Sequence, residues 1–113
     1  MMRIMSIFDD RERAFEAEWA NRAEQRLRLR ARRNRLLAEW AADQEGLAGD
    51  ARAARIRELV KRDFEPEGQA ALFDAVAQAL GRDPSDIAAR AAELEAEAAA
   101  QLSARGMSRP PPD

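Results

Sequence analysis

"FDDRERAFEAEWANRAEQRLRLRARRNRLLAEWAADQEG", Phe8 to Gly46, holds neither glycine nor proline before its last residue. A run rich in Ala, Glu, Leu and Arg without a strong breaker predicts one long helix. Asp9 or Asp10 is the expected N-cap, the helix runs to about Glu45, and Gly46 is the stop. Winding the run at about 100° per residue puts Phe8, Phe15 and Trp19 in one narrow sector, with Leu29, Leu36, Leu37 and Trp40 close to it. The same sector holds Arg22, Arg26 and Arg33. Because a guanidinium is rarely buried unpaired, the helix carries two apolar seams with an arginine zone between them. The distal seam, from Leu27 to Trp40, has partners available in the rest of the chain, and the proximal one has none left over.

Beyond Gly46 the punctuation stays clean. "GLAGD" (46–50) turns the chain, and Asp50 is expected to cap a second helix carrying Ile56, Leu59, Val60 and Phe64 on its apolar face. "EPEG" (65–68) breaks it. A third, short helix shows Leu72, Phe73, Val76 and Leu80 and ends at Gly81. Asp83 followed by Pro84 is an N-cap with proline at the first helical position. It opens a fourth helix striped by Ile87, Ala91, Leu94, Ala98 and Leu102, which Gly106 is expected to close, leaving "SRPPPD" as a disordered or polyproline tail.

Composition agrees. The 113 residues allow one domain with a modest core, and although 46% of them are hydrophobic, 26 are alanine and bury little area. Tyr is absent and Val60 and Val76 are the only valines, so there is little material for strands and the expected class is all-α. No apolar run is long enough to span a bilayer, and Met1 to Ile7, interrupted by Arg3, is too short for a secretory core, so a cytoplasmic chain is expected. Zero Cys and zero His remove thiolate chemistry, imidazole bases and the usual zinc and iron sites.

The charged clusters favour plain structural roles. Asp9 and Asp10 read as a cap and a macrodipole partner rather than an acid/base pair. Asp63, Glu65 and Glu67 do not spell a calcium or magnesium loop. "RLRLRARRNRL" (26–36) is basic enough to follow phosphates, but Leu27, Leu29 and Leu36 interleave it and the net charge of the chain is -2. A solvated or intramolecularly paired face is the leading reading, a protein contact the second and nucleic acid the third. No serine has a base to activate it and no P-loop occurs, so no catalytic residue, metal or cofactor is expected. Phe15 and Trp19, four residues apart, fit either a helix folded back on its own bundle or a helix-in-groove anchor with Arg11 and Arg13 at the groove's rim.

"FDDRERAFEAEWA" (8–20), "ARRNRLLAEWAA" (31–42), "VKRDFEPEG" (60–68) and Phe73 after it closely resemble the zeta subunit, the ATPase inhibitor of the alphaproteobacterial F1Fo ATP synthase. The resemblance covers nearly the whole chain, is strongest from Phe8 to Asn34 and weakest after Leu80. It implies a small four-helix bundle with a long first helix whose N-terminal part is mobile or protruding. Residues 1–20 would be the inhibitory segment, 21–106 the four-helix domain and 107–113 the tail. That segment would enter a catalytic interface between alpha and beta subunits, reach toward gamma and block rotation in the hydrolysis direction. The partner-binding residues it implies are Phe8, Asp9, Asp10, Arg11, Arg13, Phe15 and Trp19, with Arg32, Arg33 and Asn34 where wedge meets bundle. Departures from the family pattern fall at Glu18, usually Lys, at Trp19 and Leu27, usually Phe, and at Glu39, usually Leu. A peripheral place on the membrane-bound enzyme follows, with no nucleic acid and no membrane insertion, while weak adenine nucleotide binding by the chain itself stays open. The alternative is a structural adaptor or nucleotide-responsive module, in which Phe15 and Trp19 lie in the bundle's own core.

Overall fold

A computed structural model describes residues 2–108, with side chains from 10 to 105. Helix α1 spans Met2–Gln44, α2 Gly49–Arg62, α3 Gln69–Leu80 and α4 Pro84–Ser108, and no strand occurs among the described residues. The 43 residues of α1 are about 64 Å of helix, which sets the long axis of a molecule measuring 66 × 35 × 24 Å.

Two of the expected boundaries rest on local chemistry, and both occur. At the end of α1 the Gly46 N–H donates to Asp43 O (3.0 Å) and the Leu47 N–H to Ala42 O (3.1 Å), the paired bonds of a Schellman motif. Gly46 takes the left-handed φ of 75° that this closure needs and that a side chain would oppose. At the start of α4, Asp83 Oδ1 accepts from the Ser85 N–H at 3.1 Å, with Pro84 in the first helical position.

Three other boundaries differ from expectation. Helix α1 begins at Met2, so Asp9 and Asp10 lie inside it rather than capping it. The residues before them contain no glycine or proline, and a good capping residue does not stop a helix that the preceding chain can continue. Helix α2 is capped by Ala48 in extended conformation, without a side-chain bond, and Asp50 sits in the first turn, where its charge suits the macrodipole. Helix α4 passes Gly106 and runs through Ser108. A glycine weakens a helix by about 1 kcal/mol but does not oblige it to end. Residues 109–113, most of the expected tail, lie outside the described residues.

The core gathers Leu37, Ala38, Ala41 and Ala42 of α1, Ile56 and Leu59 of α2, Leu72, Val76 and Ala77 of α3, and Ile87, Ala91 and Leu94 of α4. Leu36, Trp40, Val60, Phe73 and Leu80 pack against it half-buried. Alanine supplies much of the interface, so the helices approach closely and the few large side chains fill the remaining space. Trp40 is overlaid by two guanidiniums, with Arg82 at 5.6 Å and Arg90 at 5.4 Å from its ring centre, tying α1 to α4 and the α3–α4 turn. Near the α1–α2 turn, Arg52 hydrogen-bonds Asp43 at 2.8 Å and holds its carboxyl below the usual carboxylate range. Burial alone would depress Arg55, but its hydrogen bonds to Glu45 and Glu58 outweigh that and raise it.

Two expected core members are outside. Leu27 is 67% exposed and Phe64 84% exposed. Leu27 precedes the stretch of α1 that the other helices reach. Phe64 leaves the α2 stripe because that helix ends at Arg62 and the chain tightens. Asp63, Phe64 and Glu65 donate to carbonyls three residues back, at Val60, Lys61 and Arg62. A tighter turn advances each side chain by about 120° rather than 100°, which swings Phe64 off the buried face.

Candidate functional site

The distinctive feature is the part of α1 that no other helix covers. Every residue from 10 to 22 is exposed. Within it Phe15 is 75% and Trp19 66% exposed, one turn apart on the same side of the helix. Asp10, Arg11 and Arg13 are exposed beside them. The side chains of Phe8 and Asp9 lie outside the described residues. Two ion pairs run along the arm, Arg22 with Glu18 at 2.6 Å and Arg28 with Glu24 at 2.8 Å. Each has the acidic residue four positions before the basic one, the favourable orientation, and each supports local helicity by about 0.3–0.5 kcal/mol. Glu18 is thus engaged on the arm itself rather than facing outward alone.

The arm's root is built differently. Arg30 donates to Asp63 Oδ1 through Nη2 at 2.6 Å and Nε at 3.2 Å, fixing α1 to the turn after α2. Arg32 Nε donates to Gln101 Oε1 of α4 at 2.7 Å. Arg33 is buried and divides its donors among three acceptors: Gln69 Oε1 at 2.7 Å, Asn34 Oδ1 at 2.9 Å and Glu95 Oε1 at 3.4 Å. Its guanidinium also lies over the Phe73 ring at 5.8 Å from the centre. A buried charge with this many partners is costly to disturb, because removing any member leaves others desolvated and unmatched. Asn34 is buried beside it, and its Nδ2 has no hydrogen-bond partner.

The structure therefore divides the expected site residues into two groups. Asp10, Arg11, Arg13, Phe15 and Trp19 stand together on an open arm. Arg32, Arg33 and Asn34 belong to the junction, and Arg33 and Asn34 face inward. The basic run is largely committed within the fold, since Arg35 also pairs with Glu39 at 3.3 Å, and Arg26 is its one member without a partner among the described residues. Gln69, Glu95 and Gln101 were not legible as partners, because a lone Gln or Glu on a polar helix face gives no sign of what approaches it. Among the described residues, no three His, Cys, Asp or Glu side chains gather where they could hold a metal ion, and no helix is long and apolar enough to cross a membrane.

A family model described as ATPase inhibitor subunit zeta matches residues 5–104, so the match takes in the arm, its root and all four helices. Neither the curated proteins nor the solved structures yield a significant match. The chain belongs to the ATPase inhibitor subunit zeta family.

Proposed function

We propose, from that membership, that the chain is a non-catalytic subunit that restrains an F1Fo ATP synthase from the cytoplasmic side, with residues 1–20 as the inhibitory segment and 21–106 as the domain that carries it. The observation behind this reading is the exposure of Phe15 and Trp19 at 75% and 66% on a helix that its own bundle leaves uncovered. The alternative, a structural adaptor or nucleotide-responsive module with Phe15 and Trp19 in the bundle's own core, has less support, since both rings are exposed.

In the proposed complex the arm enters a catalytic interface between alpha and beta subunits and points toward gamma. Phe15 and Trp19 fill apolar space, with about 2–3 kcal/mol available from each ring. Asp10, Arg11 and Arg13 pair with charges at the mouth, and Phe8 and Asp9 belong to the same segment. Arg32, Arg33 and Asn34 set where the arm leaves the bundle. Hydrolytic rotation closes the interface on the arm and synthetic rotation opens it, so one set of contacts blocks one direction more than the other.

The bundle also lowers the cost of presenting the arm. A detached segment must nucleate its own helix, with a nucleation constant of about 10⁻³, whereas an arm continuous with α1 only has to propagate. The test measures ATP hydrolysis and ATP synthesis in inverted membrane vesicles, with the full chain and with a peptide of residues 1–20. The full chain is expected to suppress hydrolysis and spare synthesis, and the peptide to need about a thousandfold higher concentration. Equal loss of both activities, or equal potency of the peptide, rejects the reading.

A further inference from the structure

Among the described residues, Leu27 and Phe64 are the two other large apolar side chains left exposed, and both lie beside the base of the arm. With Arg30, Ala31 and Asp63 they line a shallow groove of about 390 Å³. One side of the groove is braced by contacts of the turn that follows α2. Arg30 grips Asp63 at 2.6 Å, immediately before Phe64, and the turn closes when the Gly68 N–H donates to Glu65 O at 2.8 Å. Gly68 has a left-handed φ of 53°, and a Cβ there would come within 3.1 Å of Arg30 Nη2. A side chain there would press on the end of the arginine and strain the left-handed backbone, so glycine suits the turn. Phe64 is thus presented outward on a braced turn, so the backbone that carries the ring loses little freedom when a partner covers it.

We infer that this groove is a second docking surface for the same ATPase that receives the arm, taking an apolar side chain from the rim of the cleft. The inference rests on the arm reading above. The occupant follows from continuity. Leu27 lies eight residues after Trp19, about 12 Å along the same helix and turned by about 80°. A body that encloses Phe15 and Trp19 reaches Leu27 and Phe64 by following the helix toward the bundle. The Arg30–Asp63 pair neutralises the charge in the groove, so an apolar group enters without stranding a lone ion. Together the two surfaces grip the partner on the arm and at its root, and the second contact fixes how far the arm enters.

The test compares three full-length proteins as inhibitors of purified F1-ATPase: wild type, Phe64→Ser with Leu27→Ser, and Phe15→Ala with Trp19→Ala. Melting curves and sedimentation are recorded for each. The groove variant is expected to melt as wild type, to sediment as wild type and to inhibit about tenfold more weakly. Undiminished inhibition by the groove variant, alongside lost inhibition by the arm variant, overturns the groove and leaves the arm reading standing. Undiminished inhibition by the arm variant brings down both. A wild-type dimer that the groove variant dissociates without losing potency assigns the surface to a second copy of the chain and likewise overturns the inference.

Discussion

Two stretches of one helix make the central contrast. Residues 10–22 of α1 carry Phe15 and Trp19 and are exposed throughout, whereas Leu37, Ala38, Ala41 and Ala42, a few turns on, are fully buried. A monomer that only had to fold would invert this, placing its aromatics inside and its alanines wherever convenient. Here the alanines make close contact between helices and the rings stay in water. Burial is therefore set by where the other three helices reach, and the apolar surface left over is located by the fold rather than by hydrophobicity alone. That leftover surface is where a partner has most to gain.

The contrast predicts opposite outcomes for the two ends. Leu37→Ala, in the packed end, is expected to cost about 3–5 kcal/mol of unfolding free energy, read as a lower denaturant midpoint with an unchanged slope. Phe15→Ala with Trp19→Ala, in the open end, is expected to leave the melt within about 0.5 kcal/mol of wild type and to weaken inhibition of ATP hydrolysis about a thousandfold or more. A large loss of stability in the arm variant would break the contrast. Between the ends, Arg33→Ala strips Gln69, Asn34 and Glu95 of their shared donor and is expected to cost about 1–3 kcal/mol. Lysine there should not restore it, since one ammonium cannot span acceptors that a guanidinium fork reaches together.

The smallest effect concerns acid. Asp43 has its carboxyl pKa lowered in the folded chain by the hydrogen bond from Arg52. Its stabilisation is complete above the unfolded carboxylate value of about 3.9 and is lost as pH falls through the lower folded one. Wild type and Asp43→Asn should differ slightly in melting temperature at pH 7, with that difference closing below about pH 4. A gap that stays constant as the pH falls would mean the ion pair is not its source.

What could be read in advance followed from how local the cause was. Gly46, Gly81 and the Asp83–Pro84 pair act on their own backbone within a few residues, and the helices stop and start there as expected. The exposed state of Phe15 and Trp19 was legible as one of two outcomes, because the distal seam used up the available partners. Other features needed the assembled fold. Phe64 falls on a helical stripe only if α2 continues past Arg62, and it does not. Arg33 reads as a polar residue interrupting a seam, Asn34 has a role only through the resemblance, and only the approach of Gln69 and Glu95 makes a buried site suitable for the arginine. The start of α1 departs from expectation because Asp9 and Asp10 are good caps within a segment that has no reason to begin there.

One feature of α1 bears on mechanics. From its first turn to Gly46 it contains no glycine or proline, so it has no built-in joint. A sideways load on the tip is carried along a stiff rod with little bending to absorb it, and the bundle acts as the fixed end of a cantilever. Arg30, Arg32 and Arg33, at the clamp, then bear the largest bending moment. The force at which such a lever tears loose is decided at its mounting, well away from the rings at its tip.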